Sequence, residues 1–142
     1  MNPEFASIGQ YMCTFRDHVL FVCGFDANAA WTYGADISSI LLQNEQPISM
    51  TGFGDGGPQV VVLTSTNRFL RCGLIPPRVW EVFNIPQPTG AMFQELIGAG
   101  LWTHDNATWF LAARGLNAAG SNVTFVVGNP LGGGAWVELP VH

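Results

Sequence analysis

The sequence contains no lysine. Its cations are five arginines, Arg16, Arg68, Arg71, Arg78 and Arg114, against ten acids, for a formal net charge of −5. With no basic patch to neutralise phosphates, nucleic-acid binding is disfavoured. Charged residues of both signs are also scarce, at 11% against the usual share of about 25%. A solitary domain normally carries more charge on its surface. The surface is therefore either neutral and polar or covered by partners. Codon bias and selection for a covered surface account equally well for the missing lysine.

Cysteine is sparse too. Cys13, Cys23 and Cys72 form no disulfide framework, and no Cys-x-x-Cys occurs. They read as buried thiols packing as small hydrophobes, with a Cys13–Cys23 bridge across the first hairpin left open to the register. No apolar run reaches the length needed to cross a membrane as a helix, about 18 residues or more, so no membrane partner is expected. Met1–Ser7 lacks the basic region and apolar run of a secretory leader.

Catalytic patterns are missing as well. There is no Gly-x-Ser-x-Gly, no P-loop lysine and no Cys/His metal spacing. Asp17-His18 and His104-Asp105 sit in polar turn clusters and read as turn chemistry, since no third group is placed to orient an imidazole. Ten scattered acids offer no identifiable carboxylate pair. The expectation is a chain that is not an enzyme, with no catalytic residues, no metal and no cofactor.

Apolar residues are plentiful, at 48% with mean hydropathy +0.25. One domain spanning 1–142 can bury a substantial core. The strongest positive signal is repetition. Phe15–Gly24 (FRDHVLFVCG), Leu63–Gly73 (LTSTNRFLRCG) and Trp102–Gly115 (WTHDNATWFLAARG) each read apolar strand end, polar turn, apolar strand, glycine. Upstream of each lies a short apolar stretch ending in Gly9, Gly52 or Gly98. Two Trp-to-Pro runs, Trp80–Pro86 and Trp136–Pro140, close the second and third units. The unit is roughly 45 residues with room for four short strands, the length of one propeller blade. An all-β fold of about three propeller-like four-stranded units is expected, with a compact β-sandwich or barrel as the alternative. Gly52–Pro58 and Gly128–Gly134 read as loops. Asp36–Asn44 and Arg78–Asn84 also carry helical spacing and stand as possible short helices.

The third unit, GAGLWTHDNATWFLAARGLNAAG followed by a glycine-rich loop and AWVELPV, resembles a repeat of the regulator of chromosome condensation family. Gly98, Gly100, Gly115, Asn117 and Gly120 carry the match. The resemblance implies a propeller blade. Ala119-Gly120-Ser121-Asn122 replaces that family's Gly-Gln-Leu-Gly stretch, and no functional residue of the family can be placed, so no exchange or chromatin activity is implied.

Three units fall short of the 4–8 blades of single-chain propellers, and part-units stand at Phe5–Gly9 and Trp136–Val141. Completion by a second copy is the expected remedy, with the chain itself as principal partner. Phe5, Trp80, Trp136, Val137 and Val141 are the interface candidates, because large apolar side chains anchor interfaces. The low charge, glycine-rich loops and incomplete unit count together resemble bacteriophage virion proteins of the decoration, head–tail or tail-fibre kind. That implies other virion proteins as further partners and the virion as location, with the cytoplasm otherwise. The alternative is a lectin-like carbohydrate-binding module in which Trp31 and Tyr33, in a loop, stack on a surface glycan.

Overall fold

The computed structural model describes residues 5–24, 31–103 and 105–139. It contains twelve strands in three antiparallel sheets of four. Each sheet is a simple meander in chain order. The first comprises β1 (Ala6–Ile8), β2 (Tyr11–Arg16), β3 (Val19–Gly24) and β4 (Thr32–Asp36). The second comprises β5 (Pro47–Phe53), β6 (Gln59–Thr64), β7 (Phe69–Gly73) and β8 (Trp80–Val82). The third comprises β9 (Met92–Leu101), β10 (Trp109–Leu116), β11 (Asn122–Gly128) and β12 (Val137–Glu138). None of the sheets closes into a barrel among the described residues.

The second sheet is the middle layer. Along β6 every residue is buried. Val60 and Val62 face a core shared with Cys13, Leu20, Val22 and Ala35 of the first sheet. Val61 and Leu63 face a core shared with Phe93, Leu111, Ala113 and Phe125 of the third. A strand buried on both faces reads as an unbroken apolar run, here Val60-Val-Val-Leu63. The first strands of the sheets lie side by side, with β5 touching both β1 and β9. This close approach requires Gly52: a Cβ there would collide with the Ser7 carbonyl. Across the other seam, Ser49 Oγ accepts a hydrogen bond from the Leu96 amide at 2.9 Å.

Several sequence expectations are corrected. Neither Asp36–Asn44 nor Arg78–Asn84 is helical: Asp36 ends β4, and Trp80–Val82 is β8. The only helical element among the described residues is one 3₁₀ turn at Pro130–Gly132. Phe53 is not in a loop but closes β5, buried against Phe83 and Trp109. Trp31-Thr-Tyr33 is no loop either, since Thr32 and Tyr33 open β4. The Cys13–Cys23 bridge is excluded by register: Cys13 pairs with Val22 and Cys23 with Met12, which sets the two on opposite faces.

The third written hairpin is out of phase with the other two. Phe15–Gly24 and Leu63–Gly73 join second strand to third, whereas Trp102–Gly115 joins first to second, β9 to β10. The true counterpart in the third sheet is the β10–β11 hairpin, whose turn is closed by the Asn117 amide on the Ser121 carbonyl at 3.0 Å. Gly128, not Gly115, ends the strand that matches β3 and β7.

Candidate functional site

The sheets repeat one device for holding the next. Trp80 opens β8 and lies in the core between first and second sheets. Its ring stacks on Phe15 at 5.8 Å and 20°, and its Nε1 donates to the Ala35 carbonyl at 3.4 Å. Trp136 immediately precedes β12 and lies in the core between second and third sheets. Its ring stacks on Phe69 at 5.1 Å and 30°. In each case the tryptophan at the start of a fourth strand reaches back to the sheet before. It lands on the ladder pair one step in from the second-to-third-strand turn, Phe15↔Leu20 in the first sheet and Leu63↔Phe69 in the second.

Trp31 stands at the same place in the first sheet, immediately before β4. A bulge between Leu20 and Phe21 sets the register there. Leu20 and Ala35 face the second sheet, while the next pair, Phe21 and Tyr33, faces away, with rings edge-to-face at 6.3 Å. By alternation Trp31 shares the face of Tyr33. Trp31 is 46% exposed and Tyr33 61%. The tryptophan that would reach back to a preceding sheet thus points at no sheet among the described residues.

The third sheet ends the stack with the complementary surface. Its counterpart of the Phe15↔Leu20 pair is Leu116↔Asn122. The next pair, Gly115↔Val123, lies alongside Phe93 and faces the second sheet. Leu116, Asn122 and Met92 therefore face outward, and Met92 is 60% exposed. Beside them Gln94, Arg114, Asn122, Thr124 and Leu139 line a concavity of about 580 Å³. An Arg114–Glu95 ion pair crosses this face. Ile97, Leu101, Val137 and Leu139 add exposed apolar surface to the third sheet.

The sequence candidates divide accordingly. Trp80 and Trp136 are 9% and 2% exposed, with their rings occupied between sheets of the same chain. Phe5 and Val137 are exposed, at 54% and 52%. Val141 lies outside the described residues. Trp31 and Tyr33 are together on the free face of the first sheet. Sequence reasoning missed Met92, Leu116 and Asn122, because the third hairpin was read out of phase and the matching pair went unrecognised.

Two further features complete the inventory. Glu45, 2% exposed, lies between β4 and β5 and binds the β6–β7 hairpin. Its carboxylate accepts from Arg68 Nε at 2.9 Å, from Arg68 Nη2, from Thr64 and Thr66 hydroxyls and from the Leu42 amide at 2.9 Å. Burial alone would raise the carboxyl, but the Arg68, Thr64, Thr66 and Leu42 bonds outweigh it and hold it down at about 2. This ties a long connection to a hairpin and has no opening for a substrate. The second feature is a groove of about 430 Å³ where the ends of all three sheets meet, lined by Ile8, Gly9, Tyr11, Gly54, Pro58 and Trp109. It is apolar, and no convergent acid, base or nucleophile stands in it. Among the described residues no group of three His, Cys, Asp or Glu could hold a metal ion. Among the described residues no helix is long and apolar enough to cross a membrane.

No protein-family model matches the chain, and neither a curated protein nor a solved structure is detectably similar to it.

Proposed function

We propose that the chain is a non-enzymatic structural protein: a propeller-like run of three blades that self-assembles, working as a component of a virus particle. One observation carries this reading. The stack ends in two uncovered sheet faces, with exposed Trp31 and Tyr33 on one and Met92 and Leu116 among polar side chains on the other, at the positions where the internal joints are made. Large apolar side chains clustered in the open on a sheet face support an interaction site. The side-by-side first strands and successive four-stranded meanders support the blade reading. The sparsely charged surface suits dense packing among other particle proteins, since few charges would have to be desolvated there.

Negative-stain images of the purified chain test the assembly half. Compact ring-shaped particles larger than one chain are expected, and isolated wedges at micromolar concentration would overturn it. Peptide mass spectrometry of purified particles tests the virion half, which fails if the chain is found only in the soluble fraction of infected cells. The exposed Trp31 and Tyr33 also suit a lectin-like module stacking on sugar. Their equivalence to Trp80 and Trp136, which pack on protein, favours assembly. Glycan-array binding abolished by Trp31→Ala in a chain that stays monomeric would reverse that preference.

A further inference from the structure

We propose that two copies join head to tail, the free face of the first sheet of one on the free face of the third sheet of the other, closing a ring of six sheets. The inference rests on the assembly reading above and adds which faces meet. The two joints inside the chain state the rule: a fourth-strand tryptophan of each sheet lodges on the second-to-third-strand hairpin of the sheet before it. Only two members of this series lack a mate among the described residues. Trp31 has no hairpin, and the Leu116↔Asn122 hairpin has no tryptophan. They lie at opposite ends of the stack, so neither can satisfy the other within three face-to-face layers.

A second copy supplies both at once. Its third sheet offers Leu116, Met92 and the 580 Å³ concavity to Trp31 and Tyr33. Its first sheet offers Trp31 in return. Such a contact is heterologous, and heterologous contacts make rings when the rotation closes and fibres when it does not. Two copies give six sheets, inside the 4–8 range of closed propellers, whereas three copies would exceed it. The receiving pair differs from its internal counterparts in having no aromatic. Arg114 lies beside it, and a guanidinium against an indole face is a favourable contact.

Light scattering on the chain and three variants tests this. Trp31→Ala alters the first-sheet face and Met92→Asp the third-sheet face. Ile75→Asp alters an exposed residue between β7 and β8 of the middle sheet, on a strand connection that belongs to neither face. All three positions are at least 46% exposed, and circular dichroism checks that each variant folds. The wild type and Ile75→Asp should be two-chain particles. Trp31→Ala and Met92→Asp should each self-associate about thirtyfold more weakly, as expected on losing an anchor. Mixing those two should restore a weaker pair, because one intact joint remains. If only one of them dissociates, like faces meet and the head-to-tail pairing is wrong. If neither does, the faces are not the joint. A wild type larger than two chains overturns closure at six sheets. A monomeric wild type overturns the assembly reading itself.

Discussion

Glu45 shows how one residue without visible sequence context can hold a connection. The acid stands among ten scattered carboxylates, and only the fold brings Thr64, Thr66 and Arg68 to it. Removing one partner of a buried charged pair strands the other. Glu45→Ala should therefore cost about 3 kcal/mol in urea unfolding. The pH dependence follows from a carboxyl held near 2 in the folded chain, against an ordinary 4.5. Its contribution is complete above pH 4.5 and fades as pH falls through about 2. Glu45→Gln should flatten that part of the stability–pH curve. The thiols behave oppositely. Burial pushes Cys13 and Cys72 up to about 12, which leaves almost no thiolate at neutral pH. Neither should react with a thiol reagent until the chain unfolds. Rapid labelling of either in the native state would contradict their place in the core between the first and second sheets. At Gly52 the issue is space, not charge: Gly52→Ala would force β5 away from Ser7 of β1 and should lower the melting temperature without changing the third sheet.

At the scale of elements, the sequence disclosed the units but mistook their phase. Val60–Leu63 and Phe69–Cys72 are legible because alternation and continuous apolar runs reflect burial on one face or two. Trp102–Gly115 misled because any hairpin shows a polar turn between apolar strands, whichever pair of strands it joins. Only the ladder registers separate a β9–β10 loop from a β10–β11 turn. The helical spacing at Asp36–Asn44 and Arg78–Asn84 failed for different reasons: Ile37 sits in the core between first and second sheets, whereas Val79 and Val82 are exposed and the segment around them pairs with β7 as a strand. The candidate surfaces were half legible. Trp31 and Tyr33 stood out as aromatics, but Met92, Leu116 and Asn122 acquire meaning only from their position one pair in from a turn. The hairpin device itself is testable. Phe69 supports Trp136 at 5.1 Å and Phe93 at 5.0 Å, so Phe69→Ala should cost about 3–5 kcal/mol. A loss below about 1 kcal/mol would mean that the tryptophan-on-hairpin joint contributes little beyond the strands.

At the scale of the molecule, the low charge and the uncovered faces have one explanation. The first sheet ends the stack with exposed Trp31 and Tyr33, and the third ends it with exposed Met92 beside Leu116. Two such ends on one chain, one with a fourth-strand tryptophan and the other with an unfilled hairpin, favour association of one copy with another. The anchors of the joint would be Trp31, Tyr33, Met92 and Leu116, so raising the salt from 0.1 to 1 M, which shortens the screening length from about 10 to 3 Å, should not dissociate it. Dissociation by salt would point instead to the Arg114–Glu95 region as the source of attraction. The most direct measurement is the solution mass of the unmodified chain at micromolar concentration. The account predicts twice the 15.3 kDa of one chain. A single-chain mass held across the concentration range would contradict it.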